Sequence, residues 1–408
     1  MPATQGKIIP IAVLNAAVAG SALGAHEREA VEHAIAVHAR RPGPLIELLH
    51  AVQDMLGHIP EAAVPRIADA LNLSRAEVHG VISYYPHFRS TPAGRHVLQV
   101  CRAAACQARG ADALLAHAGQ ALGCGSSGHG HGYATSADGA VTLEPVYCLG
   151  LCASSPAVML DGQPHAHVSA NGLDALIAQC RQPEQAGEPV AQPAHAGAEA
   201  GAGAGPGVRV YVPRDAAALA VGADAVAGAL QRECAARGLQ VQIVRNGSRG
   251  LLWLETLVEV ETPEGRVAYG PVTADAVPGL IDAGMLQGGS HALCHGLTEA
   301  IAYLARQERL TFARVGVIDP LNLSDYASHG GWQGLERAAR MEPAAIVQEV
   351  LDSGLRGRGG AAFPAGIKWK TVAAAAGPQK YIACNADEGD SGTFAARLLM
   401  EGDPSTLI

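Results

Sequence analysis

The sequence predicts a mixed α/β fold with a small helical bundle at its N-terminal end. From His26 to about Pro92 the apolar residues recur at helical spacing, and from residue 93 short strand-like runs alternate with helical segments. After a segment rich in Ala, Gly and Pro, the strand–helix pattern returns with the same landmarks at fixed offsets. These observations predict a duplicated α/β unit that follows the bundle.

The composition is typical of a folded protein. Of the 408 residues 49% are apolar and 16% are charged. The length predicts about two to four domains. The net charge of −9 argues against nucleic acid as the main partner, and no apolar run is long enough to predict a membrane span. Nine cysteines spread along the chain favour a reducing, cytoplasmic location over a disulfide framework.

The N-terminal segment has some features of a signal peptide. "KIIPIAVLNAAVAGSALGA", from Lys7 to Ala25, is an apolar run that ends in small residues. Its single lysine and internal asparagine argue against export. We therefore predict an irregular tail over residues 1–25, or a misplaced start codon.

Residues 26–92 are predicted to form a bundle of three short helices. The first has a stripe of apolar residues on one face, which consists of Leu45, Leu48, Leu49, Val52 and Leu56. The second, "EAAVPRIADALNLS", is expected to stop near Asn72. Ser74 is a suitable N-cap for the third, "RAEVHGVISYY".

Residues 93–182 are predicted to form a compact α/β unit. Val97–Val100 reads as a strand, "ARGADALLAHAGQAL" as a helix, "VTLEPVY" and "PAVMLDG" as further strands, and "GLDALIAQC" as a closing helix. The segment "GCGSSGHGHGY" reads as a loop. Its "HGHG" motif, His129 to Gly132, could bind a metal, but we favour a plain loop insertion.

Residues 183–207 are predicted to be an Ala/Gly/Pro linker, and residues 208–288 a second copy of the α/β unit. Gly110-Ala111-Asp112 recurs 112 residues later as Gly222-Ala223-Asp224, and Gly150 recurs 100 residues later as Gly250. The difference between the two offsets matches the Gly/His loop, which the second copy lacks. The linker therefore resembles the seam of a fusion between two chains.

The remaining segments are a predicted connector over 289–345 and a final segment over 346–408. In the final segment a helix, "EPAAIVQEVLDSG", leads into the glycine-rich "LRGRGGAAFPAGIKWK". A strand is predicted over "KYIACNADEGDSGTF", residues 380–394.

Four cysteines form two pairs with metal-ligand spacing. Cys101 and Cys106 form C-x4-C at one strand end, and Cys148 and Cys152 form C-x3-C at another. Four thiolates suit a [2Fe–2S] cluster or a structural zinc, and spacings wider than C-x2-C favour iron–sulfur. Inert buried thiols are the remaining alternative.

The second copy lacks all four cysteines together. The aligned positions are Pro213, Ala218, Ser248 and Leu252. Independent packing residues would have no reason to vanish as a set, so we infer that the four thiols act together. The other cysteines have no paired spacing and read as packing or surface thiols; they are Cys124, Cys180, Cys234, Cys294 and Cys384.

The glycine-rich run is a candidate phosphate site. Glycines let backbone N–H groups approach a phosphate, Arg358 and Lys368 add positive charge, and Phe363 offers a flat face to a ring. Polar residues at the end of the next strand suit ribityl or ribose hydroxyls; they are Asn385, Asp387, Glu388 and Asp390. An ordinary glycine loop is the alternative.

Residues 26–182 resemble the small thioredoxin-like [2Fe–2S] subunit of respiratory complex I and its soluble relatives. The resemblance implies that Cys101, Cys106, Cys148 and Cys152 ligate the cluster. The motifs "CRAAACQARGADAL" and "LEPVYCLGLCA" are similar to the γ subunit of soluble NAD-dependent formate dehydrogenase.

Residues 346–408 resemble the start of the flavin-binding subunit of complex I and of soluble diaphorases. The resemblance implies an FMN site and an adjacent NADH site, with Phe363 facing the nicotinamide and Asp390 near the ribose of NADH. The residues implied to hold FMN are Gly357, Arg358, Gly359, Gly360, Lys368, Asn385, Asp387 and Glu388. Complex I usually has Glu where this chain has Asp390, and Asp is similar to the formate dehydrogenase β subunit. That subunit also begins with a cysteine-free thioredoxin-like domain, as in residues 208–288.

These resemblances imply an α/β chain with a helical bundle, a thioredoxin-like [2Fe–2S] domain, a second cysteine-free thioredoxin-like domain and the truncated start of an FMN-binding domain. The family's flavoprotein continues well past the part matched here, so we expect a truncated chain or gene fragment.

The expected function is the electron-transfer (diaphorase) module of an NAD-dependent formate dehydrogenase. Electrons would pass from a molybdenum or tungsten subunit through iron–sulfur clusters and FMN to NAD⁺, and no acid–base catalytic residue is expected in this chain. The alternatives are an NAD-reducing hydrogenase, complex I, or a non-catalytic [2Fe–2S] protein.

Overall fold

The computed structural model of the protein describes residues 23–85, 87–124, 133–181, 207–358, 360–377, 379–390 and 392–408. Most of the predicted tail, all but the last residue of the predicted linker, the "HGHG" loop and Gly359 lie outside these residues. The described chain forms two compact units. The first holds residues 23–147, 158–162 and 168–181, and the second holds Cys148–Ala157, Gln163–His167 and residues 207–408.

The first unit begins with a helical bundle, as predicted, but with one more helix than predicted. The helices are α1 (Ala25–His38), α2 (Leu45–Leu56), α3 (Val64–Leu71) and α4 (Arg75–Tyr84). The predicted cap of α4 is confirmed, because Ser74 Oγ accepts from the N–H of Glu77 and the Glu77 carboxylate accepts from the N–H of Ser74. The prediction missed α1 because its buried face consists mainly of alanine, which gives weak apolar contrast.

The first unit also contains a sheet whose central strand lies between a parallel and an antiparallel neighbour. The strands are β1 (His96–Cys101), β2 (Ala134–Thr135), β3 (Val141–Val146) and β4 (Val158–Leu160), in the order β2-β3-β1-β4. β1 is parallel to β3 and antiparallel to β4. The short strand β5 (Gln163–His165) follows in the chain and belongs to the second unit. The helices are α5 (Ala104–Ala108), α6 (Ala111–Leu122) and α7 (Ala170–Arg181).

The second unit contains a sheet of the same design. Its strands are β6 (Val208–Tyr211), β7 (Val241–Val244), β8 (Val258–Thr262), β9 (Gly265–Tyr269) and β10 (Cys294–Leu297), in the order β10-β9-β8-β6-β7. β6 is parallel to β7 and antiparallel to β8, which repeats the pairing of β1. The helices of this copy are α8 (Ala216–Leu219), α9 (Ala223–Ala236) and α10 (Val277–Asp282).

The two sheets confirm the prediction of a mixed α/β fold. The aligned glycines also have the same backbone role. Gly110 and Gly222 precede α6 and α9 with φ values of 92° and 97°, a left-handed conformation that glycine adopts without steric cost. β10 lies in the segment that was predicted to be a connector.

The rest of the second unit is helical and irregular. The helices are α11 (Ala302–Ala305), α12 (Leu323–Ser328), α13 (Gln333–Ala338), α14 (Pro343–Asp352), α15 (Ala365–Ala374) and α16 (Ala395–Gly402). α14 and α15 flank the glycine-rich run, as predicted. Within the described residues, every helix is too short or too polar to span a bilayer.

The predicted strand over residues 380–394 is wrong. Residues 379–390 have no regular structure, and the side chains of Tyr381 and Ile382 are 77% and 99% exposed. A strand needs a neighbouring edge that takes up its backbone hydrogen bonds, and no described strand pairs with this segment.

Candidate functional site

Cys101 and Cys106 lie at the carboxyl end of β1 in the first unit. Cys101 is the last residue of β1 and pairs in register with Val146, the last residue of the parallel strand β3. Cys106 lies within α5, and both cysteines are only 2% exposed. Parallel strands end at the same edge of a sheet. Cys148 follows two residues after Val146 in the chain.

Cys148 and Cys152 lie close together in one turn of the second unit. Their Sγ atoms are 3.8 Å apart. A tetrahedral metal with metal–sulfur bonds of roughly 2.3 Å separates two sulfur ligands by about 3.8 Å. This pair of thiols therefore fits two ligands of one metal centre.

The turn that holds the two thiols has an unusual backbone. Cys148 has φ 77°, a left-handed conformation that is rare for residues with a side chain, and Gly150 has φ 73°. The N–H of Gly150 donates to Cys148 Sγ at 3.4 Å. Cys152 then begins a 3₁₀ turn, Cys152–Ser154. Both thiols are thus placed by the backbone conformation of a loop.

The second copy keeps the glycine part of this turn without the thiols, since Gly250 has φ 80° but Ser248 does not share the left-handed conformation of Cys148. The N–H of Gly250 donates to Ser248 Oγ at 3.0 Å, and Leu252 begins the 3₁₀ turn Leu252–Leu254. Ser248 Oγ donates in turn to Glu255 Oε1 at 2.5 Å. The glycine turn is therefore common to both copies, and the thiols are present in the first copy alone.

Two buried carboxyl groups lie near this turn of the second copy, and the sequence analysis missed both. Burial is the main cause that raises the pKa of Asp215 to about 6, and repulsion from the Glu401 carboxylate is the second cause. Burial is also the main cause that raises the pKa of Glu255 to about 8, and repulsion from the Asp215 carboxylate is the second cause. The position of Glu255 within the apolar run "LLWLETLV" is the sequence signal that could have indicated a buried acid.

Helix α16 packs against the turn of Cys148 and Cys152, which the sequence analysis also missed. Arg397 Nη1 donates to the carbonyl oxygen of Leu149 at 2.5 Å, and Arg397 Nε donates to Glu401 Oε1 at 3.0 Å. A Cβ atom added at Gly150 would clash with the Arg397 guanidinium. The turn therefore needs glycine at position 150 for its φ value and for the space that the guanidinium fills.

The glycine-rich run forms a closed loop between α14 and α15. The N–H of Gly357 donates to the carbonyl of Phe363 at 2.9 Å, and Gly360 has φ 98°. Arg358 and Lys368 are exposed, and Lys368 Nζ lies 5.8 Å from the centroid of the Phe363 ring. Exposed cations beside a glycine loop that leads into a helix N-terminus fit an anionic phosphate group.

The polar residues that follow are only partly available to a ligand. Asn385 Oδ1 accepts from the N–H of Asp387, and Asp390 is exposed. The carboxylate of Glu388 accepts from the N–H of Ala396 at 2.7 Å and of Arg397 at 3.4 Å, at the start of α16. Across the described part of the chain, no hydrogen bond or ion pair joins residues 385–390 to the glycine loop.

Two family models match the chain. Residues 31–181 match the thioredoxin-like [2Fe–2S] ferredoxin family, and residues 350–408 match the Nuo51 FMN-binding domain. The E subunit of NADH-quinone oxidoreductase from Pseudomonas aeruginosa is 33% identical over 151 residues, which are 37% of this chain and 87% of that protein. The chain therefore belongs to the family of this relative, the thioredoxin-like [2Fe–2S] ferredoxins.

Other relatives are matched over a smaller part of their length. The NADP-reducing hydrogenase subunit HndC of Solidesulfovibrio fructosivorans is 46% identical over 103 residues, 25% of this chain and 21% of that protein. An F subunit of NADH-quinone oxidoreductase from Rhizobium meliloti is 49% identical over 102 residues, 25% of this chain and 24% of that protein. The chain thus spans about a fifth to a quarter of the length of these relatives.

A solved structure shares low similarity with the chain. A crystal structure of an NAD⁺-reducing [NiFe]-hydrogenase in the H₂-reduced state aligns with a TM-score of 0.43 and 22% identity, over 88% of this chain and 40% of that chain. The two family matches confirm the predicted [2Fe–2S] and FMN cofactors.

Replacement of Gly150 by alanine is expected to break the contact between Arg397 and the turn. A double-mutant cycle of Gly150→Ala with Arg397→Met tests this. Arg397→Met should lower the free energy of unfolding by about 1 kcal/mol or more in the wild-type background, and by little in the Gly150→Ala background. Urea unfolding of the four proteins measures this coupling. Gly250→Ala, at φ 80°, is the control: a Cβ added there would lie 3.7 Å from Leu398 and 3.8 Å from Arg309 and would not displace Arg397, so its effect should be additive with that of Arg397→Met. Additive effects of Gly150→Ala and Arg397→Met would contradict the contact.

Replacement of Glu255 by glutamine is expected to flatten the pH dependence of stability. The native pKa of Glu255 lies above its ordinary value of 4.5, so the folded state holds the proton to higher pH than the unfolded state. The free energy of unfolding should therefore fall as pH rises from about 4.5 towards 8, by up to about 1.4 kcal/mol per pH unit. The free energy of unfolding, measured between pH 5 and 8, should decline less in Glu255→Gln than in wild type. Asp215 accounts for the decline that remains. Glu264→Gln, in the exposed turn between β8 and β9, should retain the full decline.

Proposed function

We propose that this chain is the electron-transfer module of an NAD-dependent formate dehydrogenase, with a [2Fe–2S] domain and an FMN segment in one polypeptide. The observation that supports it most directly is the pair of thiols Cys148 and Cys152, 3.8 Å apart, in a chain that also matches an FMN-binding family. The module belongs to the class of diaphorase-like proteins, whose redox chemistry resides in bound cofactors.

Cys101, Cys106, Cys148 and Cys152 are the cluster ligands in this proposal. The register of β1 with β3 and the separation of the second pair of thiols support it. The left-handed conformation of Cys148 adds a physical argument. Such a conformation costs about 1 to 3 kcal/mol in a non-glycine residue and is kept mainly where function requires it. When bound, the cluster supplies reversible one-electron transfer.

The glycine loop holds FMN in this proposal. Gly357, Gly359 and Gly360 cradle the flavin in this proposal, and Arg358 and Lys368 balance the charge of its phosphate. Asn385, Asp387 and Glu388 are partners for the ribityl hydroxyls. Phe363 faces the nicotinamide of NAD(H), and Asp390 lies near its ribose. These residues bind and orient, and none acts as an acid or base.

Formate is the electron source in this proposal, oxidised on a separate molybdenum or tungsten subunit in the cytoplasm, with further iron–sulfur subunits in between. Two features support formate over other donors. One is Asp390 in place of the glutamate that is usual in complex I. The other is the cysteine-free copy over residues 208–288, which precedes the flavin segment as in a formate dehydrogenase β subunit.

A hydrogenase is the second candidate for the partner. The 46% identity to an NADP-reducing hydrogenase subunit over 103 residues favours it. The module would then accept electrons from a nickel–iron or other hydrogen-oxidising subunit, with the same residues in the same roles.

Replacement of Cys148 by serine is expected to abolish the cluster or perturb it severely, because serine removes one of four thiolate ligands. The iron content per chain and the EPR signal of the reduced cluster measure this loss of the cluster. Cys234→Ser, in the core of the second sheet, and Cys384→Ser, which is exposed like Cys148, should both leave the cluster intact. Equal iron content in all three variants would contradict the ligand assignment, and zinc without iron would contradict the cluster.

The electron donor can be identified in the complex purified from native cells through a tag on this chain. Anaerobic addition of formate should reduce the cluster, as seen by EPR, and NAD⁺ should then reoxidise it. Reduction of the cluster by H₂, with no response to formate, would identify the partner as a hydrogenase and not as a formate dehydrogenase. The absence of flavin absorbance and of NADH–dye reductase activity would overturn the enzymatic function of this chain.

A further inference from the structure

Helix α16 provides a charged group to the turn that holds two of the proposed cluster ligands. Leu149, whose carbonyl oxygen accepts from Arg397 Nη1 at 2.5 Å, lies directly between Cys148 and Cys152 in the chain. Gly150 is the next residue, and the guanidinium occupies the space where its side chain would be. A positive charge therefore contacts the backbone that joins the two thiols.

Arg397 is hydrogen-bonded through both its backbone and its side chain. At the start of the helix, the Glu388 carboxylate accepts from the N–H groups of Ala396 and Arg397. One turn further on, Glu401 Oε1 accepts from Arg397 Nε, while Glu401 Oε2 accepts from the N–H of Ala216 at 2.9 Å. Arg397 therefore has a fixed position and does not sample many rotamers, as a free surface arginine would.

The Arg397 side chain is 31% exposed, and its partner Glu401 is 29% exposed. A charge that is two-thirds buried is screened less by water and salt than a surface charge. The charge contacts the carbonyl of Leu149, which lies between the two thiols in the chain, and a partly buried charge interacts more strongly with its surroundings than one in bulk water.

We propose that Arg397 is a positioning residue that fixes the ligand turn and raises the reduction potential of the cluster, an inference that rests on the cluster assignment made above. Reduction adds one electron, and so one negative charge, to the cluster. A nearby positive charge stabilises the reduced form more than the oxidised form, and charge near a cluster is a recognised determinant of its potential. Glu401 opposes this effect, because its carboxylate partly neutralises the guanidinium.

The two members of the pair should therefore shift the potential in opposite directions. In Arg397→Met the midpoint potential is expected to move to a more negative value. In Glu401→Gln, which keeps an amide oxygen as acceptor, it is expected to move to a more positive value. Arg397→Lys keeps the charge and should lie closer to wild type than the methionine variant. An EPR-monitored redox titration of the full chain measures all four proteins.

The second copy offers a matched control. Arg237 on α9 also pairs with a glutamate four residues away, Glu233, and its side chain is 30% exposed. Arg237→Met makes the same change of charge at the same exposure, away from any proposed ligand, and should leave the potential unchanged.

Two outcomes would overturn the inference, and both are distinct from failure of the cluster assignment. Equal potentials in wild type, Arg397→Met and Glu401→Gln, with iron content preserved, would exclude an electrostatic role for the pair. A loss of iron in Arg397→Met without a shift in Glu401→Gln would reduce Arg397 to a purely structural residue. If wild type itself shows no [2Fe–2S] signal, the cluster assignment fails first.

Discussion

The turn that contains Cys148 and Cys152 depends on the left-handed backbone of Gly150. That conformation aims the glycine N–H at the side chain of residue 148, and the missing side chain leaves room for the Arg397 guanidinium. Gly250 repeats the first of these features in the second copy, where its N–H meets Ser248 Oγ. The backbone thus specifies the turn, and the residues at positions 148 and 152 decide whether the turn can hold a metal.

The second copy has different chemistry at the positions that correspond to the thiols. Ser248, at the position of Cys148, now donates to Glu255, a carboxyl group that burial keeps protonated to a pKa of about 8. A protonated acid that is hydrogen-bonded can be buried without the cost of a buried charge. The second copy therefore combines the same pairing of its central strand and a similar glycine turn with a buried, hydrogen-bonded acid where the first copy has thiols.

The sequence predicted the elements that local patterns determine. The cap at Ser74 and the strand–helix alternation depend on neighbouring residues. Comparison with the second copy, which lacks all four cysteines, indicated that the four thiols act together. Features that depend on distant residues were missed. The predicted strand over 380–394 lacks a neighbouring edge among the described strands, and no periodicity connects Arg397 with Leu149, which lie 248 positions apart. The alanine-rich helix α1 was missed because small apolar residues give little contrast.

The link between α16 and the ligand turn has a further physical consequence. Because both belong to one chain, their contact does not require the loss of translational and rotational freedom that two separate subunits would undergo on binding. Glu388, a proposed flavin-site residue, accepts from the N-terminal N–H groups of α16, and Arg397 of the same helix contacts Leu149. Any movement of Glu388 towards a bound flavin therefore withdraws hydrogen bonds from the helix that fixes the turn. Glu388 and the turn of Cys148 and Cys152 are thus joined through one short helix in this structure.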